Sequence, residues 1–469
     1  MSEVTIIHEA DLAVLGGGTG GYVAAIRAAQ LGLRVAVIEQ DKLGGTCLHR
    51  GCVPTKVLAH AADLLAAARR ATTEGWAAGG LAVDYAGLQR RKDDVVAGLH
   101  RGVQYLMKKN QITVVGGRGR LAGGGLVLVD TGRDQQAVRA RNVLVATGSR
   151  PKGLPGLHID HEHIITSDDL LARPTPPRSA VIVGAGAIGV EFASILNDFG
   201  TDVTLVEVLP RVLPLEDEEV SREIDRAFRR RGIKVFTGAR VDIGGIVLTD
   251  TGVQVPFTQG DKAQAVTAEV CLVATGRAAN VEDIGLEELD IRVERGFIVT
   301  DEHQRTSHPD IYAIGDVTGG LLLAHAAAAQ GVHAVEFMAG VESPPVTPER
   351  VPRGTYCRPQ VASIGLTEAQ AAERGLEPAV GRFPFRANSK AQVRGEVEGL
   401  AKVVAGADGR VVGIHLVGPE VTELLGEMSV IVSARLPLGD LAWAIHAHPT
   451  LTEALHEAFL ACGGEAVHI

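Results

Sequence analysis

Two stretches of the chain repeat one pattern, and that repeat limits the fold more than any other feature. The first runs Asp11-Leu-Ala-Val-Leu15, then Gly16-Gly-Gly-Thr-Gly-Gly21, an Ala-rich amphipathic run, and Leu33-Arg-Val-Ala-Val-Ile-Glu39. The second runs Ala180-Val-Ile-Val183, then Gly184-Ala-Gly-Ala-Ile-Gly189, a helical run, and Val203-Thr-Leu-Val-Glu207. Each reads strand, GxGxxG, helix, strand, acid, and in both the acid falls 18 residues after the third glycine. One GxGxxG is weak evidence. Two in full βαβ context, each closing on a glutamate, point to two dinucleotide sites. The glycines permit a sharp turn, close approach to a pyrophosphate and tight helix–strand packing; the helix N-terminus offers free N–H groups, and the glutamate accepts from a ribose hydroxyl.

A second echo accompanies the first. Val143-Leu-Val-Ala-Thr-Gly148 and Cys271-Leu-Val-Ala-Thr-Gly276 are near-copies, and the first unit carries an insertion before its copy that includes Cys47 and Cys52. Proline marks the boundaries: Arg173-Pro-Thr-Pro-Pro-Arg178 leads stiffly into the second unit, and another proline-rich stretch spans Pro344 to Pro352. From Thr355 onward alternating strand patterns at Val361–Gly365, Ala401–Val404 and Val411–Val417 mix with helices and no GxGxxG recurs. The expected architecture is α/β: two Rossmann-like dinucleotide-binding domains plus a C-terminal α+β domain.

The formal net charge of −10 leaves no electrostatic footprint for nucleic acid. The densest basic run, Arg229-Arg230-Arg231, reads as a solvated helix end. The Ala-rich stretch from Leu321 to Gly340 is broken by His, Gln and Glu, which argues against a membrane span, and the N-terminus has no signal-peptide pattern. Five cysteines in 469 residues do not make a disulfide framework. A cytoplasmic protein is expected, in which any disulfide is catalytic.

Chemistry concentrates in Leu43-Gly-Gly-Thr-Cys47-Leu-His-Arg-Gly-Cys52-Val-Pro-Thr-Lys56. Four residues between cysteines do not match the CxxC of zinc ribbons, and no second pair completes a metal site, so no metal is expected. Gly51 allows a bend that closes a small loop between the sulfurs. Pro54 suits a first helical turn, which would set Cys52 near a helix N-terminus, where a thiolate is stabilised. The bland alternative, two buried small hydrophobes, leaves the glycine and proline unexplained.

GGTCxxxGCxPxK resembles the redox-active motif of the pyridine nucleotide–disulfide oxidoreductase family, and of its branch that oxidises dihydrolipoamide. The resemblance spans nearly the whole chain, including Thr306-Ser-His-Pro-Asp-Ile-Tyr-Ala-Ile-Gly-Asp316, Pro359-Gln-Val-Ala-Ser-Ile-Gly-Leu-Thr-Glu368 and His446-Ala-His-Pro-Thr-Leu-Thr-Glu453. It implies an FAD domain over 1–156, an NAD domain over 157–280, a return to the central FAD domain over 281–345, and a dimerisation domain over 346–469. It implies that Cys47 forms the mixed disulfide with substrate and that Cys52 faces the flavin. His448 would be the general base, charged and oriented by Glu453, with His446 as the decoy; Lys56 would pair with Glu191 beside the flavin.

The resemblance assigns FAD to Gly16, Gly18, Gly21, Glu39, Lys56, Thr147, Gly148 and Asp316, with Ala324 behind the ring. It assigns NAD to Gly184, Gly186, Gly189 and Glu207, with Gly276 and Arg277 nearby. A carboxylate at Glu207 repels a 2′-phosphate and so favours NAD over NADP. The implied partners are dihydrolipoamide, or the lipoyl domain of a 2-oxo acid dehydrogenase complex, and a second copy in a homodimer. Departures are Leu48-His49-Arg50 between the cysteines, Thr19 in the fingerprint and Ala279 before Asn280. The alternatives are a glutathione- or mercuric-reductase-like enzyme and a non-catalytic redox-sensing flavoprotein. Glu207 opposes the glutathione-reductase-like reading and the lack of a vicinal cysteine pair around Cys462 opposes the mercuric-reductase-like one, whereas NADH reduction without dithiol turnover would favour the redox sensor. Cys271, Cys357 and Cys462 are expected to be inert.

Overall fold

The structure, a computed structural model, describes residues 5–79 and 82–469. Its chain divides into two compact units, one comprising Met1–Val57, Gly87–Pro151 and Arg277–Pro348, the other Leu58–Ala86, Lys152–Gly276 and Glu349–Ile469.

The first unit is built on a seven-stranded sheet. Parallel strands Thr113–Gly116, Val35–Glu39, Thr5–Leu15 and Gln135–Val145 lie in that order, and Ile311–Ala313 pairs in parallel with the last. The hairpin partners Leu126–Asp130 and Arg118–Leu121 extend the edge antiparallel. Strand Val35–Glu39 is almost wholly buried, as its unbroken apolar run demands of a parallel strand covered on both faces. The extra length predicted before the first Ala-Thr-Gly copy is taken up by helices Gly45–Arg50, Cys52–Thr73 and Tyr85–Lys109, which come between Glu39 and Thr113 in the chain. The Ala-rich stretch forms helix Ala324–Met338, packed on helix Thr19–Gln30. A Cβ at Gly331 would lie 2.9 Å from the Gly20 carbonyl oxygen, so small residues here serve helix–helix approach. Among the described residues no helix is long and apolar enough to cross a membrane.

The second unit contains the other βαβ repeat in a five-stranded all-parallel sheet, ordered Lys234–Phe236, Asp202–Val206, Ser179–Val183, Val270–Val273, Ile164–Ile165. Strand Ser179–Val183 begins directly after the proline-rich lead-in. The C-terminal part forms a five-stranded antiparallel sheet, ordered Arg353–Thr355, Gln360–Gly365, Val411–Gly418, Leu400–Ala405, Ala379–Pro384. Helices Glu218–Arg230, Leu425–Ala434 and Glu453–Cys462 pack on it. Its central strands are buried on nearly every residue.

One expectation is overturned. Only Arg229 and Arg230 of the basic run are half out in solvent. Arg231 is 11% exposed, 2.8 Å from Asp198, and bonded to the Ser194 hydroxyl and the Arg358 carbonyl. Asp198, 5% exposed, also pairs with Arg358. A buried carboxylate requires paired charge, and the run supplies one of its two arginines.

Candidate active site

The two glycine turns share one geometry. Gly16 and Gly184 have φ of +107° and +105°, and a Cβ on them would lie 2.4 and 2.5 Å from the carbonyl oxygens of Ala146 and Ala274. The repeated Ala-Thr-Gly segments, which follow strands Gln135–Val145 and Val270–Val273, are thus what the repeated turns press against. Gly21 and Gly189 are equally constrained, since a Cβ would sit 1.9 Å from the Gly16 and Gly184 oxygens. The middle glycines are not. Gly18 (φ −66°) and Gly186 (φ −73°) have ordinary backbone conformations. A Cβ at Gly18 meets only Gly45 Cα at 3.9 Å, and at Gly186 nothing within 4 Å. No atom of the chain forbids a side chain at these two positions. A group approaching the helix N-terminus would. The acids close the turns: Glu39 accepts from Gly17 N–H at 2.7 Å and Asp41 N–H at 2.8 Å, and Glu207 from Ala185 N–H at 2.6 Å and Leu209 N–H at 2.8 Å. Each carboxylate oxygen retains a lone pair for a ribose hydroxyl.

Cys47 and Cys52 form a disulfide, with Cα atoms 4.7 Å apart. Cys47 lies in the short helix Gly45–Arg50 and Cys52 begins helix Cys52–Thr73. A Cβ on Gly51 would press on Thr46 O at 3.1 Å and Cys47 Cα at 3.3 Å, so glycine eases the bend between the sulfurs. The loop seats directly on the first nucleotide turn. Gly44 N–H bonds Gly17 O at 2.8 Å, and a Cβ on Gly45 would lie 2.6 Å from Gly18 Cα. Two imidazoles steady its entry: His49 Nε2 and His100 Nδ1 each donate to the Leu43 carbonyl at 2.9 Å, and Arg50 pairs with Asp41 at 3.0 Å.

Behind the first turn, the Asn280 amide and backbone clasp Thr147-Gly148, with Thr147 Oγ1 donating to Asn280 O at 2.8 Å. Gly148 has φ +69° and open space at its Cβ. Asp316, 22% exposed, accepts from the Ser149 hydroxyl. Arg277 donates to Ser149 Oγ at 2.6 Å and to its carbonyl at 2.8 Å, and lies 3.7 Å from Asp316. The Arg277 guanidinium, grouped above with the second nucleotide, is therefore committed to the Asp316 cluster of the first unit. Gly276 (φ +121°) faces open space in the second unit. Ala324 is the first residue of helix Ala324–Met338.

Lys56 stands in the first turn of helix Cys52–Thr73. Glu191, 7% exposed, accepts the Tyr356 N–H at 2.9 Å. In the segment before helix Glu453–Cys462, His448 Nδ1 donates to Glu453 Oε1 at 2.9 Å, leaving Nε2 on an imidazole whose side chain is 68% exposed. The other Glu453 oxygen accepts the Thr450 N–H at 2.8 Å. Burial alone would raise the Glu453 carboxyl, but these two donors hold it below the usual range. Burial pushes the free thiols the other way: Cys271 to about 12, Cys462 to about 11, and Cys357 further up. None is a thiolate near neutrality, as expected of inert cysteines.

Sequence reasoning missed Ser149 and His100, and it marked His49 as a departure without its bond to the Leu43 carbonyl. Ser149 was available as the residue after the first Ala-Thr-Gly, in the position that Arg277 holds after the second. His100 carries no local signal, because only the packing of helix Tyr85–Lys109 brings it to Leu43. The open cradles at Gly18, Gly148, Gly186 and Gly276 fit two dinucleotides, one beside the disulfide and one on the second turn.

The family model described as pyridine nucleotide-disulphide oxidoreductase matches residues 10–331, and that of its dimerisation domain matches 351–459. The chain is 43% identical to a dihydrolipoyl dehydrogenase of Bacillus subtilis, covering 98% of this chain and 99% of that one. It is 43% identical to one of Mycobacterium leprae, with 96% and 97% covered. Among solved structures it resembles LpdA of Mycobacterium tuberculosis (TM-score 0.89, 28% identity, 97% and 99% covered). It also resembles the HOCl-induced flavoprotein disulfide reductase RclA of Escherichia coli, solved as a Cu(II) complex (TM-score 0.85, 26% identity, 97% and 99% covered).

Proposed function

The chain belongs to the pyridine nucleotide-disulphide oxidoreductase family, and from that membership we propose that it works as an NAD-dependent dihydrolipoyl dehydrogenase. The observation that carries this reading is the Cys47–Cys52 disulfide seated against Gly18 of a dinucleotide turn. FAD, when bound, supplies the two-electron link between that disulfide and the nicotinamide. Gly16, Gly18, Gly21, Glu39, Gly148 and Asp316 would hold it, with Lys56 and Ala324 beside its ring. Gly184, Gly186, Gly189, Glu207 and Gly276 would hold NAD.

The residues of the chain divide the thiol chemistry. Because Glu453 occupies Nδ1, His448 Nε2 is the atom that accepts a proton from the incoming dithiol. The resulting thiolate attacks Cys47 Sγ; a substrate–Cys47 disulfide forms, the Cys47–Cys52 bond breaks, and Cys52 leaves as a thiolate. The start of helix Cys52–Thr73 stabilises that charge. The second substrate thiol then attacks the substrate sulfur of the mixed disulfide and gives its proton to the departing Cys47 sulfur; the cyclic disulfide product closes, Cys47 is left as a thiol, Cys52 as a thiolate, and the first proton stays on His448. Two electrons and two protons have left the substrate. Conversely, Glu207 discourages a phosphorylated ribose, so NAD is the preferred nucleotide.

The working form is a homodimer, consistent with the dimerisation-domain match, in which His448 of one copy serves the disulfide of the other. Its partner is dihydrolipoamide carried on a lipoyl domain of a 2-oxo acid dehydrogenase complex in the cytoplasm. The test is steady-state turnover of dihydrolipoamide with NAD, run beside oxidised glutathione with NADPH. Turnover of the first pair alone is expected, with Cys52→Ser abolishing it while flavin stays bound. Turnover of neither pair, despite NADH reducing the protein, would favour a redox sensor. A strictly monomeric active enzyme would remove the shared site.

A further inference from the structure

His446, two residues before the proposed base, is built into the protein differently from His448. Its side chain is 9% exposed. Nδ1 faces the Ala444 carbonyl at 3.0 Å, and Nε2 faces Glu427 Oε1 at 3.0 Å. A carbonyl and a carboxylate only accept, whereas a neutral imidazole donates from one nitrogen only. Either neutral tautomer would set a lone pair against an oxygen, in a place with little water to relieve it. Only the imidazolium satisfies both partners.

The surroundings agree. Glu427, on helix Leu425–Ala434, holds His446 above its ordinary range against the effect of burial. Burial would raise the Glu427 carboxyl, yet His446 and Thr452 keep it low. The other groups that face His446 are His456 and Glu453 from helix Glu453–Cys462, and His448 on its own segment. The His456 ring stacks at 5.0 Å and 22°, with its Nε2 turned to the Ala442 carbonyl. Glu427 also accepts from Thr452 Oγ1 at 2.8 Å, so one carboxylate ties the irregular segment between Ala442 and Glu453 at two points either side of His448.

We propose that His446 is a permanently protonated positioning residue: with Glu427 it fixes the segment that presents His448, and its charge favours the ionised Glu453 that orients the base. The division of labour follows from hydrogen bonding. His448 has one acceptor and an exposed Nε2 open to a substrate, whereas His446 has two acceptors and no open nitrogen. Its role in turnover rests on the dehydrogenase reading; its protonation state does not.

Two measurements on the flavin-loaded enzyme separate these. In ¹⁵N-histidine NMR, His446 is expected to show two protonated nitrogens at pH 7 and to keep them to higher pH than an ordinary histidine. A neutral tautomer at pH 7 would overturn the proposal whatever the activity. In kinetics, His446→Leu should lower kcat for dihydrolipoamide on the order of tenfold with flavin content retained. His446→Gln, which keeps a donor toward Glu427, should recover part of that rate. It should also move the acid limb of the kcat/KM profile to higher pH, because no fixed cation then opposes a proton on the neighbouring dyad. Unchanged kcat and an unmoved acid limb in both variants would end the positioning role. Failure of the wild type to oxidise dihydrolipoamide would instead end the activity reading and leave the NMR result standing.

Discussion

An added methyl at Gly18 or Gly186 meets almost nothing within the chain, whereas one at Gly21 or Gly189 would overlap a carbonyl oxygen at 1.9 Å. The glycines of one fingerprint therefore fail in different ways when replaced. Gly18→Ala should fold with its melting temperature nearly intact and bind FAD more weakly, by about 1.4 kcal/mol or tenfold. Gly186→Ala should raise KM for NAD by a similar factor. Gly21→Ala should lose stability itself, by about 1–3 kcal/mol or more, because the turn cannot relax away from its own oxygen. Thermal denaturation beside flavin titration checks this; equal destabilisation by Gly18→Ala and Gly21→Ala would remove the argument that the middle glycines serve a ligand. Glu39 and Glu207 act on both sides, bracing backbone N–H groups of their turns while offering lone pairs outward. Glutamine, not alanine, is thus the informative replacement for testing nucleotide choice at Glu207.

Among the elements, helix Glu453–Cys462 matters most to the proposed chemistry, since Glu453 is its first residue. Its position is set by contact with strand Ala379–Pro384: a Cβ on Gly381 would lie 1.9 Å from Ala458 O and 2.6 Å from Cys462 N. Gly381→Ala should displace the helix, cost about 1–3 kcal/mol, and lower dihydrolipoamide turnover without changing nucleotide affinity. A variant with wild-type melting and kcat would show that this contact does not place the helix. The strand gives no local hint of this, because Gly381 has an ordinary backbone conformation and only the fold brings the helix to it. The His446 clamp shows the same dependence, with a sign that can be worked out. A histidine raised above its unfolded value adds stability that is complete at acid pH and fades as pH rises through the folded value. The segment should loosen at the alkaline end, visible as faster amide exchange around His448.

On the scale of the whole chain, the second unit joins nucleotide-binding and C-terminal parts through buried charge. Lys402, 2% exposed, bonds Asp217 at 3.0 Å and Glu219 and Glu368 each at 2.7 Å; Arg382 shares the two glutamates. Lys402→Met should destabilise by about 3–5 kcal/mol, because it strands several carboxylates near the interior. Burial would raise Glu219, but Arg382 and Lys402 lower it to about 2. Its contribution to stability is therefore present above about 4.5, and is lost as pH falls toward about 2. Glu219→Gln should be less stable than wild type at pH 7 and nearly equal to it at pH 2. A difference that persists at pH 2 would assign the effect to packing.

Spacing by itself pointed to the two nucleotide turns, the acids that close them and the cysteine pair, and only the family resemblance added the histidine–glutamate pair at the C-terminal end. Each is a local pattern, since backbone geometry fixes how far a glycine turn lies from its closing acid and how a carboxylate five residues away returns to an imidazole. Packing decided the rest. Arg231 became an interior cation because Asp198 waits for it, Arg277 joined Asp316, and His446 met Glu427 from another helix. These are contacts between residues distant in the chain, and a charge or a glycine carries no mark of the partner that the fold will bring to it.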